Sequence, residues 1–463
     1  ANEGATGVRR LYLERMGLKQ CYSFENRRKL FEIHSSFKFA IVVAQAGKMT
    51  DVVSCAFYLH DDEWLFGERN GREPLQYKLE FVRRTGGDYL SLLELRSPKD
   101  LEVAEVCFAN GEPFGSVCSR LGIRLGRELN MTDDAWRFTP TAEVIPNGVE
   151  PRDPGIAASL LDKGYLILHE GKTFWHYDDH WEERPSYVIA FSAISDKPAW
   201  LKGSRYFRFA YRAVASSTNE RTVVCHMLPP GAVFGNSAPV EREPDRSPYS
   251  AALQLLTLAN SYIFDWTARV RTGANINQFI LFSCPLPVKP DRGNFLTHAA
   301  IRLICNHAGY APLWREQLGD TWREAGKTPM SWPVLAGDDE RWEVRAAIDA
   351  VVADAYGLSR DQYEHVLSTF SHRSYPKAPE LCLTRFDELQ GMGLEAFTRT
   401  HDPYWDIPLN DNLPQPVIDL PLPSEPSNEP GQTQLRLSAD PAPQAQPRRR
   451  RPRATARPRG QGT

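Results

Sequence analysis

The sequence predicts a mixed α/β protein laid out in four segments, and three observations carry that prediction. Two apolar, β-branched runs near the start, residues 37–45 (FKFAIVVAQ) and 52–59 (VVSCAFYL), have the composition of strands. The stretch from about residue 67 to 290 mixes strand-like runs and short helices with many aromatic residues, an α+β pattern. Residues 291–411 repeat apolar side chains at helical spacing, and residues 412–463 are rich in Pro, Gln and Arg. The expected segments are therefore a β-rich opening (1–66), an α+β part (67–290), a helical extension (291–411) and a disordered tail (412–463).

In the first segment, the polar residues 46–50 (AGKMT) between the two apolar runs predict a hairpin, and runs this apolar belong in a sheet interior. In the second, Ser97 can cap a helix that has Pro98 and Asp100 in its first turn, a body over 101–110 and Gly111 after its end. Residues 110–114 (NGEPF) then read as a turn. In the third, Val344, Ile348, Val351 and Ala355 share one helical face, and Gly357 stops the run. Ser359 with Gln362 forms a capping box for the next helix, which carries Tyr363, Val366, Leu367 and Phe370. The tail has too little apolar area to offset its ordering entropy.

At 463 residues and 42% hydrophobic content the chain can bury a sizeable core. It contains no run of about 18 apolar residues that would predict a membrane span. Its polar first residues are not a secretory signal. It opens on Ala1, without Met, and reads as a piece of a longer protein. None of the eight cysteines forms a C-x-x-C pair, so free thiols in a reducing cytoplasm are expected, with no metal site. The net charge is −3, but the chain from Pro421 onward holds eight Arg against three acidic residues. Such a balance does not by itself point to nucleic acid.

Motifs for catalysis are missing. No P-loop, H-E-x-x-H or G-x-S-x-G occurs. Before the tail the one Pro-Pro pair is Leu228-Pro229-Pro230-Gly231, without the Asn/Asp and aromatic neighbours that an amino methyltransferase loop needs. A Gly-rich turn after a strand, suited to a nucleoside cofactor, is likewise absent from the sequence. No catalytic residue is therefore assigned within this chain.

The stretch CYSFENRRKLFEIHSSFKF (21–39) resembles a segment of large adenine-specific DNA methyltransferases, namely single-chain restriction-modification enzymes and the methyltransferases of the BREX and DISARM phage-defence systems. RELNMTDD (127–134), HEGKTFWHYD (169–178), FAYRAVASSTNERT (209–222) with LPPGAVF (228–234), and NSYIFD (260–265) through NINQF (275–279) to LPV (286–288) follow in the family's order. RAAIDA (345–350) with YGLSR (356–360) is similar to the helical segment that comes next.

The resemblance implies that residues 1–66 are the last strands of a methyltransferase sheet and residues 67–290 a target recognition domain. It implies double-stranded DNA as partner, a methyltransferase half outside this chain, and S-adenosylmethionine as cofactor of the whole enzyme. A defence-system helicase or nuclease is a further class of partner that it allows, and no membrane is implied. The reaction would be methyl transfer to adenine N6 after the base is flipped from the duplex.

By the same resemblance Phe31 matches an aromatic residue that stacks on the flipped base, an interaction of roughly 1–3 kcal/mol. The alternative is inward packing of Phe31 with Ile33 and Phe37. Three clusters suit DNA contact, since Arg, Asn and Gln read base edges and basic groups hold phosphates. They are Lys172 with His176; Arg212 with residues 216–218, Asn219, Glu220 and Arg221; and Arg269, Arg271 and Thr272 with Asn275 and Asn277. Solvated faces or self-bonded turns are the alternatives, and for the second cluster the resemblance implies a structural or phosphate role in preference to base specificity. Arg448–Arg453 could add salt-sensitive affinity. Two rival functions are a stand-alone specificity subunit, which would need a second recognition domain or a long helical spacer, and a scaffold that docks a partner through its helices.

Overall fold

The computed structural model describes residues 3–35, 37–67, 69, 71–215, 219–272, 275–287, 289 and 292–421. The opening sheet is built around β1 (Met16–Glu25), a strand the sequence reading did not single out. β2 (Lys38–Ala46) pairs with one side of it, antiparallel from Met16↔Ala46 to Glu25↔Lys38. β3 (Val52–Leu59) lies on its other side, parallel, from Gln20↔Ser54 to Phe24↔Leu59. β4 (Leu75–Lys78) completes the order β2-β1-β3-β4.

The two apolar runs are thus strands but not a hairpin, because β1 separates them. The chain leaves β2 and crosses to the other side of β1 within a few residues. Buried Thr50 fastens this crossing: its Oγ1 accepts from Leu18 N at 2.8 Å and donates toward Met16 O at 3.3 Å. β3 is largely buried, whereas β2 forms the sheet's edge, with Ile41, Val42 and Val43 each 38–44% exposed.

The middle of the chain supplies β5 (Gly111–Pro113), β6 (Leu125–Gly126), β7 (Phe138–Pro140), β8 (Tyr165–His169) and β9 (Tyr187–Ala190). It continues with β10 (Arg208–Tyr211), β11 (Cys225–Leu228), β12 (Ala232–Phe234), β13 (Val240–Glu241) and β14 (Pro285–Pro287). They form the sheets β11-β10-β13-β6 and β12-β8-β9-β7 and the pair β14-β5. Buried Glu128 links the two larger sheets, accepting from Arg208 Nη1 at 2.7 Å and from Phe234 N at 3.0 Å. Residues 110–114 are not the expected turn. Gly111–Pro113 is the strand that pairs with β14, and Phe114 opens the next helix.

The cap at Ser97 is as the sequence predicts: Ser97 Oγ accepts from Asp100 N, and Asp100 accepts from Ser97 N. The helix Asp338–Tyr356 ends on Gly357, whose φ of 78° is a conformation that suits glycine. Ser359 and Gln362 reciprocally cap the helix Arg360–Ser368.

One apolar cluster runs from Leu13 through the helices Tyr249–Ala259 and Tyr262–Arg269 to Tyr404, so the helical segment shares a core with the parts before it. Residues 412–421, expected to belong to the disordered tail, are held instead. Val417 N donates to Arg205 O at 2.9 Å, and Leu420 packs against the cluster of Leu129, Leu166 and Trp200. Arg448–Arg453 lie outside the described residues. Among the described residues no helix is long and apolar enough to cross a membrane.

Replacing Thr50 with Val leaves the amide of Leu18 buried and unsatisfied. The expected loss is about 1–3 kcal/mol of stability. It is checked as a lower urea midpoint with an unchanged m-value.

Candidate nucleic-acid interface

β1 and β3 run parallel, and the loop that presents Phe31 leaves the carboxyl end of β1, with Arg28 reaching Asp61 just after β3. Asn26, the first residue after β1, is completely buried and organises that loop. Its Oδ1 accepts from Phe31 N at 3.0 Å, and its Nδ2 donates to Phe31 O at 2.9 Å and Ile33 O at 2.8 Å. Its own amide donates to Phe37 O at 3.0 Å. The Phe31 ring rests edge-on against Phe39 at 4.7 Å, and Phe39 stacks on Phe24 at 5.3 Å. Phe31 remains 54% exposed, and Ile33 and Phe37 are exposed beside it, so these three do not pack inward together. Arg27 and Arg28, in the same loop, have more than half of each side chain exposed and pair with Glu25 and Asp61. The sequence reading did not single out Asn26, Arg27 or Arg28. The available signal was the position of Asn26 at the strand's end, five residues before the aromatic.

Lys172, Trp175 and Arg212 form a second surface beside the loop of Asn275, and the side chains of Asn219, Asn275 and Asn277 are exposed. Lys172 stands on the short turn Gly171–Thr173, about a third exposed and 2.9 Å from Glu183, whose hydrogen bond raises the lysine's pKa. Trp175 stacks on Trp181 at 5.0 Å, and the Arg212 guanidinium lies 5.5 Å from the Trp175 ring. Gly171 makes this closeness possible: a Cβ there would stand 2.7 Å from Ser237 O and 3.1 Å from Arg212 Cγ. Val214 bridges to Asn275, and Ile276 N donates to Ala213 O at 2.9 Å, so the loops carrying Arg212 and Asn275 lie side by side.

Three predicted contacts are corrected, because their side chains are buried and already committed. His176 donates through Nε2 to Val223 O at 2.7 Å, and burial holds its pKa well below the usual range. Arg221 pairs with Asp265 at 2.8 Å and donates to Asn260 O at 2.6 Å. Arg271 donates through Nη1 to Ser283 and through Nη2 to Thr85 O, its Nε is buried without a partner among the described residues, and its guanidinium lies over Phe108. A buried donor that is satisfied within the protein has none to offer a ligand. Arg269 is partly buried and turned toward the 219–222 turn. Residues 216–218 and 273–274 lie outside the described residues.

No family model matches this chain, and no curated protein does. One solved structure to which it is similar is MmeI, a Type IIL restriction-modification enzyme, in complex with DNA. The identity is 11% and the TM-score 0.35, over 78% of this chain and 49% of that one. The chain thus spans about half the length of that protein. A likeness this distant fixes neither fold nor activity.

The ligand atoms of Asp179, His180 and His307 lie within 4.8 Å of one another, a spacing that invites a metal. Their hydrogen bonds favour another account. His307 Nδ1 accepts from Gly309 N at 3.1 Å, so the neutral ring carries its proton on Nε2 and donates it to Asp179 Oδ2 at 2.9 Å. No lone pair of His307 is left for a metal. His180 Nδ1 stands 3.1 Å from Asp179 Oδ1, and its Nε2 is 3.5 Å from Asp153. The cluster is a polar clamp between the turn around residue 180 and the helical segment. Burial alone would raise Asp179, but the hydrogen bonds from His180 and His307 outweigh it and hold the carboxyl well below its usual range.

Burial likewise pulls His180 down, but the hydrogen bond and charge of Asp179 outweigh it, and the pKa of His180 is raised. Protonation therefore favours the folded state. This contribution is complete below the unfolded value of about 6.5 and is lost as pH rises through the raised value. His180→Gln should accordingly lower the melting temperature more at about pH 5.5 than at about pH 8.5.

Proposed function

We propose that this chain is the DNA-recognition portion of a site-specific adenine-N6 DNA methyltransferase serving restriction-modification or phage defence. The observation that carries the reading is the placement of Phe31. It is an exposed aromatic, held by a buried Asn26, at the carboxyl ends of the parallel strands β1 and β3. Ligands of open α/β sheets bind at the carboxyl ends of the strands. An exposed ring there suits stacking on an extruded base. The order of the resembling stretches along residues 21–360 supports the same reading.

β2 supports a catalytic half that joins this sheet. Its run FAIVVA is apolar on both faces, as in strands covered on both sides in α/β sheets. Here Ile41, Val42 and Val43 of that run are exposed at an edge. S-adenosylmethionine does not fit the residues of this chain. β1 leads into Asn26–Arg28 and β3 into His60-Asp61-Asp62-Glu63, and neither end has the glycine-bearing turn that a nucleoside needs. The cofactor would belong to the other half.

Lys172, Arg212, Asn219, Asn275 and Asn277 are the surface groups proposed to meet the duplex. Cations would hold phosphates and the amides would reach base edges. A stand-alone specificity subunit is less well supported. The longest helix among the described residues, Asp338–Tyr356, is a 19-residue element buried in the core and not an exposed spacer.

The test is binding to a short duplex across a salt series, for wild type and for a Lys172→Ala/Arg212→Ala double variant. Wild type should bind, weaken steeply with salt, and lose about two units of log–log slope in the variant, roughly 0.9 per phosphate contact. A cooperatively melting protein that binds no duplex even at low salt would sink the reading.

A further inference from the structure

We infer that Arg269 is a positioning residue that holds the 219–222 turn in place for base readout, and that it does not itself contact phosphate. The inference rests on the DNA-recognition reading above. Arg269 stands at the end of the helix Tyr262–Arg269, where a free guanidinium could reach outward. Its fork points instead at the turn. Nε donates to Thr222 Oγ1 at 3.1 Å, and Nη2 donates to Asn219 O at 2.8 Å and Glu220 O at 2.9 Å. The guanidinium lies over the Phe370 ring at 4.1 Å.

The helical segment reaches the same turn from the other side. Glu220 accepts from Ser374 N at 3.0 Å and from Ser374 Oγ at 2.7 Å. Thr222 N donates to Asp265 at 2.9 Å. Both ends of the turn are therefore fixed to a helix and to the segment after it, while the side chain of Asn219 stays exposed at its start. A planar fork with several donors is suited to gripping two carbonyls and a hydroxyl together, which a lysine ammonium on a flexible stem cannot reproduce.

A phosphate contact and a positioning role differ in their salt dependence. Removing a phosphate contact lowers the log–log salt slope by roughly 0.9, whereas displacing a base-reading turn leaves the slope and erodes sequence preference. The test compares wild type, Arg269→Lys, Arg269→Ala and the surface change Ser374→Ala, using short duplexes with a randomised centre. Binding is read across a salt series and by sequencing the selected duplexes, and amide hydrogen exchange is read over residues 219–222 without DNA.

Arg269→Lys and Arg269→Ala should speed exchange in the turn, keep the wild-type slope, and reduce enrichment of the preferred sequence about tenfold or more, the cost of one misplaced bidentate base contact. Ser374→Ala, which should melt as wild type does, should shift enrichment and exchange in the same direction by less. A slope reduced by about 0.9 in Arg269→Ala would show a phosphate contact and overturn the inference. Wild-type exchange and enrichment in both Arg269 variants would overturn it as well. If wild type itself binds no duplex, the DNA reading fails and the turn's assigned role fails with it, while the exchange data still report whether Arg269 holds the turn.

Discussion

The fold depends on the buried carboxylate of Asp265. It lies in the first turn of the helix Tyr262–Arg269, accepts from Arg221 Nε at 2.8 Å and from Thr222 N at 2.9 Å, and has no exposed surface. The residues just before it reach other elements. Asn260 exchanges two hydrogen bonds with the backbone of Cys225 in β11, and Tyr262 N donates to Asp349 of the helix Asp338–Tyr356 at 2.7 Å. Burying charge is costly unless every partner is present, and breaking such a pair by removing one partner costs about 3–5 kcal/mol. The sheet, the helix and the helical segment are therefore tied into one arrangement.

This tie changes what the helical segment is. Phe370, His372 and Ser374 follow the helix Arg360–Ser368 and grip the central helix and the 219–222 turn. His372 takes a positive φ of 45°, accepts from Tyr262 OH at 3.1 Å and donates through Nε2 to Leu367 O at 2.7 Å. On the other side, Asp179, His180 and His307 join the turn near residue 180 to the same segment. A part that looks like an appendage in the sequence is structurally the backing of the proposed DNA face.

The two exposed features differ in chemistry. The Phe31 loop and β2 present apolar surface, which suits a base plane and a covering sheet. The face around Lys172 and Arg212 is mixed in charge, with Glu170 and Glu183 beside the lysine. Exposed pairs of this kind are worth little, so a phosphate can replace Glu183 at small cost.

The sequence by itself determined the local features: the caps at Ser97 and Ser359, the stop at Gly357, and the apolar runs that became β2 and β3. These are set by neighbours within a few residues, through hydrogen bonds and periodicity that can be read in one dimension. Tertiary structure alone decided that β1 separates those two strands, because the register of β1 with Ala46 and Ser54 joins residues far apart in the chain. It also decided which basic residues face outward. Arg221, Arg269 and Arg271 look alike in sequence to Lys172 and Arg212, yet Asp265, the 219–222 carbonyls and Thr85 claim their donors. Residue type fixes what an arginine can bond, whereas the long-range fold decides which acceptor stands within reach.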